Sequence, residues 1–190
     1  MPRINVVGTS CSGKTTLARA LAGALDVPHI ELDALFWGRD WTPAPGPTFR
    51  DRLGRALAGE DWVADGGYAA VRDITWARVE TIVWLDYPLR IVLGRWARRT
   101  VARLRSHEEV WPGTGNRERI RHILRRDSLL WWILSTHHRR RRSHRAAMAA
   151  AQNVRWVRLR TPAEADAWLA GVQAGGPLTT AGAIASAQKP

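Results

Sequence analysis

The chain has 190 residues, 45% hydrophobic and 24% charged, which is the balance of one globular domain large enough to bury a core. A single cysteine excludes an internal disulfide, and the longest apolar run, Leu129 to Leu134, falls far short of the roughly 20 residues that cross a bilayer. The net charge of +12 is segregated: residues 1–86 hold nine basic against eleven acidic residues, and residues 87–160 hold nineteen arginines against four acids.

In chain order, Arg3 to Val7 is a β-branched run ending at Gly8, a first strand. No signal peptide precedes it, so the expected location is the cytoplasm. From Gly13 to Leu25 the apolar residues Leu17, Leu21 and Leu25 share one face of a helix, which Asp26-Val27-Pro28 breaks. His29 to Leu32 reads as a second strand, residues 38–48 as a Pro-, Gly- and Trp-rich loop, and Phe49 to Ala58 as a helix. Asp61 to Ala64 is a third strand, ended by Asp65-Gly66-Gly67; Thr81 to Leu85 is a fourth, stopped by Asp86-Tyr87-Pro88. Leu89 to Arg105 is helical and Ser106 to Asn116 a loop. Arg117 to about Ala151 is one or two helices, with Trp131 and Trp132 buried. Val154 to Leu159 is a fifth strand, and Pro162 to Val172 a closing helix with proline in its first turn. Residues 1–172 thus form one domain, and 173–190, without periodicity, a disordered tail.

Five strands separated by helices predict an α/β fold with a mainly parallel sheet and helices on both faces. Ligands of such sheets bind beyond the carboxyl ends of the strands. Gly8, Asp33, Asp65 and Asp86 mark those ends here.

Gly8-Thr9-Ser10-Cys11-Ser12-Gly13-Lys14-Thr15 matches G-x-x-x-x-G-K-[ST] in full, between a strand and a helix. The glycines let backbone N–H groups curl around a phosphate, and the helix adds the positive end of its dipole. Lys14 then reaches the β- and γ-phosphates and the Thr15 hydroxyl ligates magnesium; Gly8 to Thr16, joined by Arg117, are the expected nucleotide-binding residues. ATP and Mg2+ are therefore the expected ligands. Asp33, Asp65 and Asp86 are all candidates for the metal-side carboxylate, each with a turn or cap role as its alternative. No cysteine–histidine spacing suggests zinc.

The order of P-loop, His29 to Asp33 followed by Phe36-Trp37, Asp65-Gly66-Gly67-Tyr68, Leu85-Asp86-Tyr87-Pro88, Gly115-Asn116-Arg117-Glu118 and Trp131-Trp132 resembles the adenylate kinase-like group of P-loop kinases. Within it, the sequence is most similar to the bacterial topology modulation (FlaR-like) proteins over residues 3–170. The resemblance implies a three-layer fold with sheet order 2-3-1-4-5. It implies that Asp65 matches the acid of the Asp-Gly-Phe-Pro-Arg motif of nucleoside monophosphate kinases, near magnesium. Gly67-Tyr68 replaces the rest of that motif, so its acceptor-binding arginine is missing and Arg72 is the candidate substitute. Asp33 falls where related small-molecule kinases orient an acceptor hydroxyl.

Arg95 and Arg99, four residues apart, share a helix face and match the pair leading into the lid of that group. Arg117, Arg121 and Arg125 repeat beyond the loop 106–116, so residues from about 100 to 128 read as a closing lid that brings cations onto a transferring phosphoryl group. The run from His137 to Arg145 is expected on an exposed face or in the lid's anion site. Cys11 reads as a spacer within the P-loop, and Trp37 and Trp41 lie in the acceptor-side segment. The expectation is a monomeric kinase of a small-molecule or nucleotide acceptor, without membrane contact. Its rival is a nucleotide-dependent regulatory protein that binds DNA or RNA through the basic half.

Overall fold

The structure is a computed structural model that describes residues 2–106, 109–111, 113–117, 128–151 and 153–178. Five parallel strands, β1 (Arg3–Gly8), β2 (His29–Glu31), β3 (Trp62–Asp65), β4 (Thr81–Leu85) and β5 (Arg155–Leu159), form one sheet in the order β2-β3-β1-β4-β5. This is the expected fold. The helices between them are α1 (Lys14–Leu25), α2 (Leu32–Phe36), α3 (Gly46–Ala56), α4 (Arg72–Ala77), α5 (Leu89–Ser106), α6 (Leu129–Ala150) and α7 (Pro162–Gln173).

The central strand β1 is wet on neither face. Ile4 and Val6 point into one core with Leu21, Val83, Val157 and Trp168, and Val7 points into the other with Leu53, Trp62 and Trp84. That alternation is the period-2 consequence of the pleat, and burial on both faces is why β1 and β4 read as continuous apolar runs. The one polar side chain in the middle of β1, Asn5, is fully buried but satisfied: it donates to the carbonyls of Ala64 and Gly66 and accepts from Trp76 Nε1.

Several local expectations shift. Asp33 sits in the first turn of the short helix α2 rather than at a strand end, and Leu32, read as strand, begins that helix. Helix α3 starts at Gly46, inside the expected loop, because Pro47 lies in a first turn where its missing N–H costs nothing. Trp131 and Trp132 are not core residues: they are 54% and 47% exposed. The basic run is an exposed face on one side only: His138, Arg139, Arg142 and Arg145 are exposed, whereas His137 and His144 are buried on the inward side of α6. The final helix ends at Gln173, and Leu178 still packs against the core, so order extends into the segment expected to be tail. Arg121, Arg125 and much of the expected lid lie outside the described residues. No helix among the described residues is long and apolar enough to cross a membrane.

Candidate active site

The P-loop follows β1 at the carboxyl edge of the sheet. Its tight curl is visible in the backbone: Ser12 N–H bonds the Thr9 carbonyl at 3.1 Å, Cys11 takes a left-handed φ of 63° and Gly13 a φ of 96°. A non-glycine residue in that region costs of order 1–3 kcal/mol, and such strain collects where a loop is shaped for a ligand. The φ of Gly13 is one that L side chains rarely adopt, and a Cβ there would also push aside the Arg95 guanidinium, whose Nη1 would lie 2.4 Å away. Ser12 Oγ is buried without a hydrogen-bond partner within the described residues. Thr9 is buried, Ser10 partly so, and Thr16 is exposed on α1.

Lys14 opens α1 and donates from Nζ to the Thr9 carbonyl at 3.2 Å. Part of its surface remains accessible, yet desolvation is the strongest influence on the ammonium and lowers its pKa, with the charges of Asp33 and Asp65 pulling back up. A cation held below its ordinary range by lost water is one that an arriving polyphosphate would re-stabilise.

Asp65 ends β3, the strand beside β1, and is 1% exposed. Its Oδ1 accepts from Thr15 Oγ1 at 3.0 Å and its Oδ2 from His29 Nε2 at 2.8 Å. Gly66 turns the chain away at a φ of 131°, where a Cβ would come within 2.7 Å of the Leu32 Cβ. The Thr15 hydroxyl thus spends its proton on Asp65 and keeps its lone pairs for a cation. Hard oxygen donors of this kind, one hydroxyl and one carboxylate beside a phosphate loop, fit a magnesium ion bridged to a nucleotide. The orphaned Ser12 hydroxyl and the curled N–H groups fit the phosphates themselves.

Asp33 faces the same crevice and accepts a short hydrogen bond from the Tyr68 hydroxyl. Burial, then the neighbouring Asp33 charge, raises the phenol pKa, so Tyr68 stays a donor. Arg140, on α6, donates to the Gly67 carbonyl at 2.8 Å; desolvation lowers its pKa while Asp33 and Tyr68 oppose that. An aromatic wall made of Phe36, Trp37, Trp41 and Trp111 completes this side, with ring centroids 4.9–5.9 Å apart. The loop residue Asn116, fully buried, ties the loop to this wall by accepting from the Trp41 N–H at 2.6 Å and donating to the Gly38 carbonyl at 2.9 Å.

The basic residues divide by role. Arg95 donates to the Ser12 carbonyl at 2.7 Å and lies over the Tyr87 ring, so it grips the P-loop backbone in this state. Arg99 is half-buried one turn further along α5. Arg117 is exposed and pairs with Glu109 at 3.6 Å inside its own loop. Arg72 lies over the Trp76 ring, 4.5 Å from its centroid. Asp86, 1% exposed, commits its carboxylate to Arg141 and to Arg158. Burial alone would raise its pKa, but the hydrogen bonds from those two guanidinium groups more than offset this and hold it low. Both of its oxygens are engaged by guanidinium groups, so its charge is already answered within the protein.

Sequence reasoning missed His29 and gave Arg140 and His137 no role apart from the basic run they belong to; His137 Nδ1 is 3.0 Å from Thr9 Oγ1. The signal for the helix residues was present: His137, Arg140, Arg141 and His144 stand at i, i+3, i+4 and i+7, the spacing of one inward face.

No protein-family model matches the sequence, and no curated protein matches it. Solved structures do. The chain is similar to a sugar kinase from Janibacter sp. HTCC2649 at 20% identity and a TM-score of 0.53, over 94% of this chain and 96% of that one. It is similar to a shikimate kinase from Bacteroides thetaiotaomicron at 19% identity and a TM-score of 0.54, over 91% and 97%, respectively. A shikimate kinase from Acinetobacter baumannii, solved with shikimate, gives 19% identity and a TM-score of 0.54, over 92% and 94%. The chain therefore shares its fold with these solved structures. The narrower likeness to topology modulation proteins finds no support in these matches.

Proposed function

We propose that the protein is an ATP-dependent kinase that transfers the γ-phosphoryl group of Mg-ATP to a small-molecule acceptor. One observation carries this reading. A single desolvated ammonium, Lys14, feels the charges of both Asp65, which orients the Thr15 hydroxyl, and Asp33, which lies in the aromatic-walled half of the crevice. Donor phosphates and acceptor would meet across it.

In this reading the curled backbone from Gly8 to Thr15 binds the phosphates and Lys14 completes the cage. Thr15 and Asp65 would hold a magnesium ion, which when bound would supply neutralisation of charge on the phosphoryl oxygens. Asp33, kept in place by Tyr68, orients an acceptor hydroxyl and takes up its proton. Arg140 stands by as a buried positive charge for an anionic group of the acceptor, the part that the missing motif arginine would have played. Arg95 fixes the P-loop now; released from the Ser12 carbonyl, it and Arg99 would reach the phosphates from α5. Arg117 and the rest of the loop would close over them and exclude water.

The fold of solved shikimate and sugar kinases supports the reaction class, and the Asp33 carboxylate beside Tyr68 and the aromatic wall supports a hydroxyl acceptor. ADP release measured with Mg-ATP against a panel of nucleoside monophosphates, nucleosides, sugars and hydroxy acids tests the proposal. At least one acceptor accelerates release, and Lys14→Ala abolishes the acceleration. Hydrolysis that no acceptor accelerates would count against it.

The nucleic-acid reading retains one observation. His138, Arg141, Arg142 and Arg145 line an open surface groove of about 360 Å3 on α6. Binding of an oligonucleotide there would weaken steeply with salt, whereas closure over ATP would not.

A further inference from the structure

His29 touches the metal-side acid Asp65 directly, and the proposed chemistry leaves it without work. It stands at the start of β2, paired with Val63 of β3, so its side chain is carried by the sheet and not by a mobile loop. Its side chain is 16% exposed and that of Asp65 is 2% exposed. Nε2 lies 2.8 Å from Asp65 Oδ2, while Thr15 Oγ1 occupies Oδ1 at 3.0 Å. A carboxylate accepts and does not donate, so Nε2–H is the donor. Both oxygens of Asp65 are therefore addressed from fixed elements, one from α1 and one from β2.

That arrangement solves a specific problem. Asp65 is a buried anion within electrostatic reach of the Lys14 ammonium. Without a second anchor, the carboxylate gains most by rotating toward Lys14, which would remove the hydroxyl orientation from Thr15 and the free cation from the phosphates. An imidazole N–H holds the outer oxygen without adding a guanidinium charge that would neutralise the acid. We infer that His29 is a positioning residue for magnesium: it pins Asp65 so that Thr15 and Asp65 together present oxygen to the ion. This rests on the reading of Asp65 as the metal-side acid. Partners that orient a metal's ligands characteristically cost 10–100-fold in metal affinity or activity when removed.

Calorimetric titration with a non-hydrolysable ATP analogue, in magnesium and in EDTA, separates the roles on the full chain. His29→Phe fills the site without a donor; His29→Gln restores an N–H at similar reach. The expected result is that the affinity ratio between magnesium and EDTA falls about tenfold or more in His29→Phe. Affinity in EDTA stays at the wild-type value, and His29→Gln recovers most of the ratio. If His29→Phe does not fold, His29→Ala takes its place in the comparison with His29→Gln. An unchanged ratio in the donor-less variant overturns the inference, and so does an equal loss of affinity in magnesium and in EDTA, which a merely structural residue would give. A wild-type chain that shows no magnesium-dependent tightening would overturn the metal-side reading of Asp65 itself, a failure that the wild-type titration alone reveals.

Discussion

The two carboxylates that flank the P-loop strand are alike in burial and opposite in company. Asp65, at the end of β3, and Asp86, just past β4, are each 1% exposed, and β3 and β4 are the two neighbours of β1. Asp65 accepts hydrogen bonds from a hydroxyl and an imidazole; Asp86 is clamped by two arginines. An acid with two guanidinium partners has its charge answered and serves as a strut between α6 and β5. An acid held by groups that need carry no charge keeps its field for something that arrives. Burial alone does not distinguish a site from a strut; the charge of the partners does.

Substitutions at the two positions should therefore part ways. Asp65→Asn keeps the shape of the side chain but removes its charge, and it should lower turnover roughly 10³-fold, the several kcal/mol expected of lost metal assistance. Metal-free ATP binding should survive, as titration would show. If turnover survives as well, the contrast between the two acids is wrong. Asp86→Ala should leave the phosphate loop intact and destabilise the fold by about 3 kcal/mol, because it strands two partly buried arginines. Thermal unfolding would show a fall of roughly 6–12 °C for a chain of this size. Asp33→Asn should reduce acceptor-dependent turnover about 10²-fold with ATP affinity unchanged, the measure of a lost base.

The smallest effect belongs to the helix that carries the strut. His144, 5% exposed beside Trp84, is pushed down to about 4 by burial and by the charges of Arg140, Arg72 and Lys14. Its folded pKa lies below its unfolded value of 6.5, so its contribution is fully present above pH 6.5 and is lost as pH falls toward 4. Denaturant titrations across that window should lose about 2–3 kcal/mol. His144→Gln should flatten the dependence. An unaltered slope would show that other groups set the acid limit.

How much of this was legible beforehand depends on whether the cause was local. The phosphate loop, the strands and the outer helices follow from residue spacing, and the strand order follows from the family likeness; all appear in the fold. In the run from His137 to Arg145, charge density marks the exposed side, His138, Arg139, Arg142 and Arg145, but not the i, i+3, i+4, i+7 stripe that meets Thr9, Gly67 and Asp86 from other parts of the chain. Pairings across more than 50 residues leave no trace in local propensity. Trp131 and Trp132 erred the other way, since a large apolar residue is only a statistical guide to the interior. His29 was passed over for the same reason as Arg140: its partner comes from another strand.

The central claim is that a phosphoryl group leaves ATP at Lys14 and arrives on an acceptor at Asp33. Following the label of γ-labelled ATP through mass spectrometry of the products tests it most directly. The account predicts a labelled phosphomonoester with at least one acceptor, absent with Lys14→Ala. Label found only in inorganic phosphate, whatever the acceptor, would contradict it.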